Sequence, residues 1–370
     1  MASASPLRTI RVVGLRAEGE GYPNAGRTIA LLSDSGVDIV DHGQALPPGL
    51  HLWRLRTLGV SGQLRQMCAI AWGNAISVMR MLLSPRGRGA PVYIPYPAMF
   101  AMWLLSWLPY SMRPHCIVDA YISVWDASFR DRGSGGGMAS KVVKAFEARA
   151  LRAASVVVVD TVANSHQFVE DFGLDPARVR AFPLAIDEAR FLAIPEAAPG
   201  CSPALRVLFV GTLIPLHGVE HILEAAGKLA GSHPEIRFRI VGDGQLGATI
   251  EQFVEAHPDV KLEWVREWCD LDAIAAEIAR ADICLGVFGG DGKAARVLPF
   301  KLYMYLAAGR PIISQLKGST PDGVPPPPIV GIDPAARDSL ADAVVQLARL
   351  GADARAQLGR GGREYYLPRL

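Results

Sequence analysis

Seven runs rich in valine and isoleucine alternate with helix-like segments along the whole chain, and this alternation restricts the fold more than any other feature. The runs are IRVVGL, VYIPY, CIVDA, SVVVVD, RVLFVG, RFRIVGDG and ADICLGVF. Between them, stretches such as GVEHILEAAGKLAGSH and LDAIAAEIARAD repeat apolar residues every three or four positions, as an amphipathic helix does. The pattern specifies an α/β protein with mainly parallel sheets. With 370 residues the chain exceeds what one hydrophobic core usually fills, so two domains are expected. The pattern breaks once, at Ile194–Arg206 (IPEAAPGCSPALR), where Pro, Gly and Ala replace any periodicity. Residues 194–206 therefore read as a linker between Rossmann-like domains at 1–193 and 207–370. Ligands are expected at the carboxyl ends of the strands, in a central cleft between two facing sheets.

Charge and composition narrow the function. A fifth of the residues are charged and the net charge is only +2, which argues against an electrostatic grip on nucleic acid or acidic lipid as the main activity and favours a small molecule. Cys68, Cys116, Cys201, Cys269 and Cys284 are scattered and form no CxxC pair, so neither a disulfide framework nor a zinc site is expected, and a cytoplasmic setting fits. The amino terminus shows no basic region followed by an apolar stretch, so no secretory signal is expected. The apolar segment Ala98–Leu108 reaches about half of the roughly 20 residues that span a bilayer. It is expected to be a buried helix, with an interfacial or acceptor-facing helix as the alternative. Arg80, Arg86 and Arg88 near Met81–Leu83 offer a peripheral membrane contact, or simply an exposed helix end and loop. Two loops read as mobile: Arg132–Met138, either a connector or a lid, and the proline run ending at Pro328.

Three constellations carry chemistry. In VLFVGTLIPLHGVEHILEAA a strand ends at Gly211, and a helix begins near Gly218 with its first N–H groups placed for a phosphate; His217 beside it reads as a solvated loop residue or a ligand contact. In RFRIVGDGQL, Gly242 and Gly244 let a ligand approach the backbone, while Asp243 either caps the next helix or meets the donor. In ADICLGVFGGDGKAARVLPFKLYMYLAAGRPIIS, Lys293, Arg296 and Lys301 lie close to a helix start after Pro299, where three cations would hold a diphosphate or form a solvated loop.

In this order and spacing the three segments resemble the carboxyl-terminal domain of glycosyltransferase family 4, in the branch that carries GT-IPLHG. DAYISVWDASFRDR and LRAASVVVVDTVANSHQFVEDFGL resemble the same branch ahead of the linker, so the likeness runs from Val92 to Ser314. The resemblance implies a GT-B fold, a nucleotide diphosphate sugar bound mainly by the second domain, no metal or other cofactor, and retention of anomeric configuration. Thr212 and His217 stand where the wider family has its diphosphate-binding arginine and lysine. The positive charge then falls to Lys293, Arg296 and Lys301, helped by His217 if protonated. Gly211, Gly218, Val219, Gly242, Asp243, Gly244 and Pro299 are the matching donor-side positions. Met304 occupies the place of a glutamate that binds ribose hydroxyls, a bond that methionine cannot supply.

From the first domain, Asp119, Ser123, Asp126, Asp131 and Arg132 are expected to meet the acceptor or sugar, with helix capping and an Asp131–Arg132 pairing as the alternative. Tyr22 and Asn24, in the Gly19–Gly26 loop, are further candidates. The sequence reads as a retaining hexosyltransferase serving bacterial surface polysaccharide, glycolipid or secondary-metabolite synthesis, with a small-molecule, glycan or lipid-linked acceptor. A catalytically silent GT-B protein that binds a nucleotide or a partner is the alternative. A dehydrogenase is disfavoured, because IRVVGLRAEGEGYPNAG lacks a compact GxGxxG.

Overall fold

The structure is a computed structural model that describes residues 8–16, 24–46, 59–130, 137–196, 204–267 and 269–370. The chain forms two compact units, Met1–Ala185 and Ile186–Leu370. The first contains β1 (Thr9–Val12), β2 (Leu15–Arg16), α1 (Asn24–Asp34), β3 (Asp38–Asp41), β4 (Gln44–Ala45), α2 (Val60–Leu83), β5 (Val92–Ile94), α3 (Met99–Leu105), β6 (Cys116–Asp119), α4 (Met138–Ala153), β7 (Val156–Val159), α5 (Val162–Phe172) and β8 (Val179–Ala181). Its main sheet has the order β3-β1-β5-β6-β7-β8 with every pairing parallel, and β2 and β4 make a separate short pair. Val92, Ile94, Cys116, Val118, Val157 and Val159 are buried on one face, and Ile10, Val12 and Tyr93 are buried on the other, as expected of a sheet covered on both faces. Helix α3 packs against both α2 and α4. Its Met99, Ala101, Met102 and Leu105 are buried, as the buried-helix reading of Ala98–Leu108 requires, while Trp107 beyond its end is exposed.

The second unit contains α6 (Glu188–Leu192), β9 (Leu205–Val210), α7 (Val219–Leu229), β10 (Ile236–Val241), α8 (Gly247–Ala256), β11 (Leu262–Val265), α9 (Leu271–Arg280), β12 (Ile283–Leu285), α10 (Phe300–Ala307), β13 (Ile312–Gln315), β14 (Val330–Ile332), α11 (Ser339–Arg349) and α12 (Ala352–Tyr366). Its sheet is again parallel, in the order β11-β10-β9-β12-β13-β14. The strand order runs outward in opposite senses from β9 and β12, and the carboxyl ends of two such strands are where a doubly wound fold opens a crevice.

The division at Ala185 precedes the composition change at Ile194. Ile186, Phe191 and Ile194 are buried, and α6 packs on α9 and α10. Arg363 donates to the Ile194 carbonyl at 2.8 Å and Arg310 to that of Pro195 at 3.2 Å, so residues 186–196 are fastened into the second unit. The proline run is likewise held rather than loose: the Tyr365 hydroxyl donates to the Pro325 carbonyl at 2.6 Å, and the Ile329 N–H to that of Pro327 at 2.9 Å. Most of the glycine loop at 132–138 lies outside the described residues.

Candidate functional site

The β9–β12 switch point brings together residues from four segments. β9 ends on Phe209 and Val210, followed by Gly211, whose backbone lies against the side chain of Lys301: a Cβ placed on Gly211 would sit 2.9 Å from Lys301 Nζ and 3.5 Å from His217 Cε1. Lys301 reaches this point from the first turn of α10. That helix starts directly after Pro299, whose extended backbone ends the preceding loop. It is fixed to β9 by the Val210 N–H, which donates to the Tyr305 hydroxyl at 3.1 Å. Lys301 is buried, its Nζ has no hydrogen-bond partner, and the amine rests 3.6 Å from the centroid of the Phe209 ring. Burial without a counter-charge holds its pKa well below the ordinary lysine value.

His217 is not a solvated loop residue. It ends a short 3-10 turn (Pro215–His217), is buried edge-on against the Phe209 ring, and hydrogen-bonds through Nδ1 to the Thr212 carbonyl. Since a carbonyl only accepts, Nδ1 carries the proton and Nε2 is left as an acceptor. Burial, then the neighbouring Lys301, push its pKa well below the usual histidine value, outweighing the Thr212 bond. His217 is therefore a neutral ring, and the protonation that would let it add positive charge is disfavoured by its surroundings.

The turn is closed by glycine. Gly218 has φ +60°, and a Cβ on it would lie 2.5 Å from the Phe288 carbonyl carbon, so the loop after β12 presses directly on the start of α7. The Gly218 N–H donates to the Pro215 carbonyl at 3.0 Å and is consumed within the turn, which removes it as a phosphate donor. Val219 follows at the first position of α7, with its side chain in the core. On the other side, Gly242 lies so close to Gly211 that a Cβ would be 2.2 Å from the Gly211 carbonyl oxygen. Gly244 packs on Leu213. Asp243 does not cap α8, which begins after Leu246; it accepts the Gly244 N–H at 2.7 Å and pairs with Arg266 at 3.3 Å. Lys293 and Arg296 sit half-buried in the turn ahead of Pro299, where the Arg296 N–H donates to the Lys293 carbonyl at 3.0 Å. Met304 is buried on α10, one turn beyond Lys301.

Sequence reasoning missed the braces. At the end of β13 the Ser314 hydroxyl accepts the Val287 N–H at 3.0 Å. The Gln315 amide donates to the Gly290 carbonyl at 3.1 Å and accepts the Gly290 N–H at 2.9 Å, stapling the loop after β12 to the sheet. Trp264 donates to the Gly242 carbonyl at 2.9 Å from β11. The only signal for these was position, polar residues closing a strand at the sheet's carboxyl edge.

In the first unit, Asn24 and Asp119 do meet. Asp119 is buried at the end of β6, accepting from Asn24 Nδ2 and the Tyr93 hydroxyl, both at 3.2 Å, and from the Tyr121 N–H at 3.3 Å. Desolvation outweighs these bonds and raises its pKa to about 7. Asn24 also accepts the Ala185 N–H at 2.7 Å. Ser123 and Asp126 serve the local fold. The Ser123 hydroxyl donates to the buried Glu147 at 2.9 Å and accepts the Asp126 N–H at 3.0 Å, and the Asp126 carboxylate pairs with Arg130 at 3.3 Å. Tyr22, Asp131 and Arg132 lie outside the described residues.

Residues 204–349 match the family model of group 1 glycosyl transferases. A D-inositol 3-phosphate glycosyltransferase of Acidothermus cellulolyticus is 33% identical over 108 residues, which cover 26% of this chain and 23% of the relative. The chain thus spans less than a quarter of the aligned relative's length. Among solved structures, Anabaena HepE in complex with UDP and glucose superposes with a TM-score of 0.60 at 12% identity, over 99% of this chain and 96% of that one. Sucrose-phosphate synthase of Thermosynechococcus elongatus superposes with a TM-score of 0.65 at 16% identity, over 97% and 94%. The fold is GT-B, and the likeness to group 1 glycosyl transferases lies in the second unit. The narrower GT-IPLHG branch is left as a sequence resemblance.

Proposed function

We propose that this GT-B protein, whose second unit matches the group 1 glycosyl transferases, transfers a hexose from a nucleoside diphosphate sugar to an acceptor hydroxyl with retention at the anomeric carbon. The observation that carries the proposal is Lys301: a buried amine without a partner, held over Gly211 and the Phe209 ring. A buried cation costs stability unless something charged arrives to pair with it, and a diphosphate is that partner. UDP is a reasonable donor base, since UDP and glucose occupy the HepE structure. In the proposed reaction the bond from C1 to the diphosphate oxygen breaks and a bond from C1 to the acceptor oxygen forms on the same face. The acceptor proton passes to the departing phosphate oxygen, so no protein base is required. Lys301 neutralises the leaving group, with Lys293 and Arg296 in the adjacent turn as further clamps and the Val219 N–H at the head of α7 assisting. No metal ion or other cofactor is assigned to the step. Asn24 and Asp119 are the first-unit candidates for the acceptor.

The expected setting is the cytoplasm, on a bacterial surface-polysaccharide, glycolipid or secondary-metabolite pathway. A silent nucleotide-binding protein is the second reading, favoured by the buried Met304 where a ribose-binding carboxylate would stand. UDP, GDP, ADP and TDP sugars are to be screened by thermal stabilisation, where a ligand at about a hundred times its Kd adds about 2.7 kcal/mol. Donor hydrolysis or transfer is then assayed on the stabilising sugar. Stabilisation without turnover selects the silent reading, and no stabilisation by any donor removes both.

A further inference from the structure

Helix α2 is built inside out. Its inward face carries polar groups: Asn74 accepts the Leu15 N–H at 3.1 Å, and Ser77 accepts the Gly14 N–H at 2.7 Å while donating to the His42 carbonyl at 2.8 Å. Gly73 lets Leu15 pack against the helix backbone, and Val78 and Met81 are buried on that side. The outward face is the apolar one. Leu64, Met67, Trp72, Met79, Leu82 and Leu83 are all exposed, Trp72 to 70% and Leu83 to 75%, at helical spacing along one side. A solvated helix puts these residue types inward, so an exposed stripe of this length needs an occupant.

The charges around the stripe select that occupant. Among the described residues, 59–118 contain five arginines and no aspartate or glutamate. Arg65 and Arg80 flank the stripe on α2 itself, and Arg86 and Arg88 follow its end, Arg86 within 3.6 Å of Asp38. Helix α3, packed on α2, leads into exposed Trp107, Tyr110 and Met112. Beyond it a cavity of about 720 Å³ is lined by Arg113, Lys141, Lys144, Arg149 and Arg152, with Asp171 among them. Among the described residues no helix is long and apolar enough to cross a membrane. An apolar face rimmed by arginines and containing no acid is the pattern of a helix lying in the plane of an anionic interface.

We propose that the outward face of α2 docks on an anionic phospholipid bilayer, with Trp72, Met79 and Leu83 entering the apolar boundary and the arginines meeting lipid phosphates. The arginines expected near Met81–Leu83 form one end of this surface; Met81 itself points into the core, and the proposed contact runs along the helix. The proposal requires no sugar transfer, so its outcome is separable from that of the donor chemistry.

The test is sedimentation of the full chain with phosphatidylcholine vesicles containing or lacking phosphatidylglycerol. Binding is expected to the anionic vesicles, to weaken with added salt, and to fall roughly tenfold or more in Trp72→Ser/Leu83→Ser and in Arg65→Gln/Arg80→Gln. These side chains are exposed, and thermal unfolding of each variant is expected to match the parent. No binding to anionic vesicles, or binding that the Trp72→Ser/Leu83→Ser variant leaves unchanged, overturns the proposal. A self-associated chain that the same variant turns monomeric overturns it too, giving the face to a second copy.

Discussion

The carboxyl edges of the two sheets each bury a titratable group, and they treat it in opposite ways. At the first, Asp119 is enclosed by Asn24, Tyr93 and the Tyr121 N–H, all from its own unit. At the second, Lys301 has no partner beyond the face of Phe209. The buried carboxylate has its hydrogen bonds supplied by its own unit, whereas the buried amine has none, which is why the diphosphate is proposed at the second edge. Equal burial therefore says little about function until the partners are counted.

The largest expected effect breaks the second edge mechanically. Gly242→Ala would put a methyl group 2.2 Å from the Gly211 carbonyl oxygen at a φ of +132°, so the backbone under Lys301 must move. A loss of about 3 kcal/mol or more in unfolding free energy is expected, read by denaturant titration. A neutral outcome would mean that the two glycine loops are not rigidly apposed.

Lys301→Met separates binding from stability. Turnover and donor affinity are expected to fall at least a hundredfold, about 2.7 kcal/mol. The ligand-free protein should gain about 1 to 3 kcal/mol, because an unpaired buried amine gives way to an apolar side chain. The sign with pH follows from the lowered folded pKa: above it the unfolded chain holds one more proton, so native stability rises with pH until the unfolded lysine also titrates near its ordinary value. The methionine variant loses that rise. Donor binding should draw a proton onto Lys301, so affinity weakens as pH increases, measurable by calorimetry in buffers of different ionisation enthalpy.

The first edge has the opposite dependence. With the pKa of Asp119 raised to about 7, the native state binds the extra proton. Its stabilising contribution is complete below the ordinary carboxylate range and is lost as pH rises through about 7. Glu147, also raised to about 7, adds to the same slope. Thermal unfolding from pH 5 to 8 should fall by at most about 1.4 kcal/mol per pH unit per group, and Asp119→Asn should remove the Asp119 share. An unchanged slope in that variant would place the titration elsewhere.

What the sequence disclosed follows from which forces are local. Largely apolar central strands such as VVVV at β7 and LRVLFV at β9 announce themselves by composition. Edge strands such as DIVD at β3 and LEWV at β11 are partly polar and form because a neighbour supplies the ladder. Lys301, Gly211 and Gly242 stand out as candidates because a glycine turn after a strand and a lysine at a helix start are local patterns, and the fold brings the three together. The neutral state of His217 was not, since it depends on burial against Phe209 and on Lys301, more than eighty residues away. Tyr93 read as a strand residue, and only the fold brings its hydroxyl to Asp119.

The smallest expected effect asks whether the second edge is complete. Met304 is buried one turn beyond Lys301, so Met304→Glu introduces a carboxylate that the free protein has no cause to welcome. Unfolding free energy without ligand should fall by about 1 to 3 kcal/mol. If a ribose lies against this turn of α10, its hydroxyls donate to the new carboxylate, and a charge-assisted bond of about 1.5 to 3 kcal/mol returns the loss on binding. UDP affinity, measured by calorimetry, should then rise by roughly tenfold, with the destabilisation absent in saturating nucleotide. A variant that is destabilised yet binds no tighter would put the ribose elsewhere. Lys301 would then grip the diphosphate without help from this face of α10, and the methionine would be a packing residue rather than the remnant of a contact.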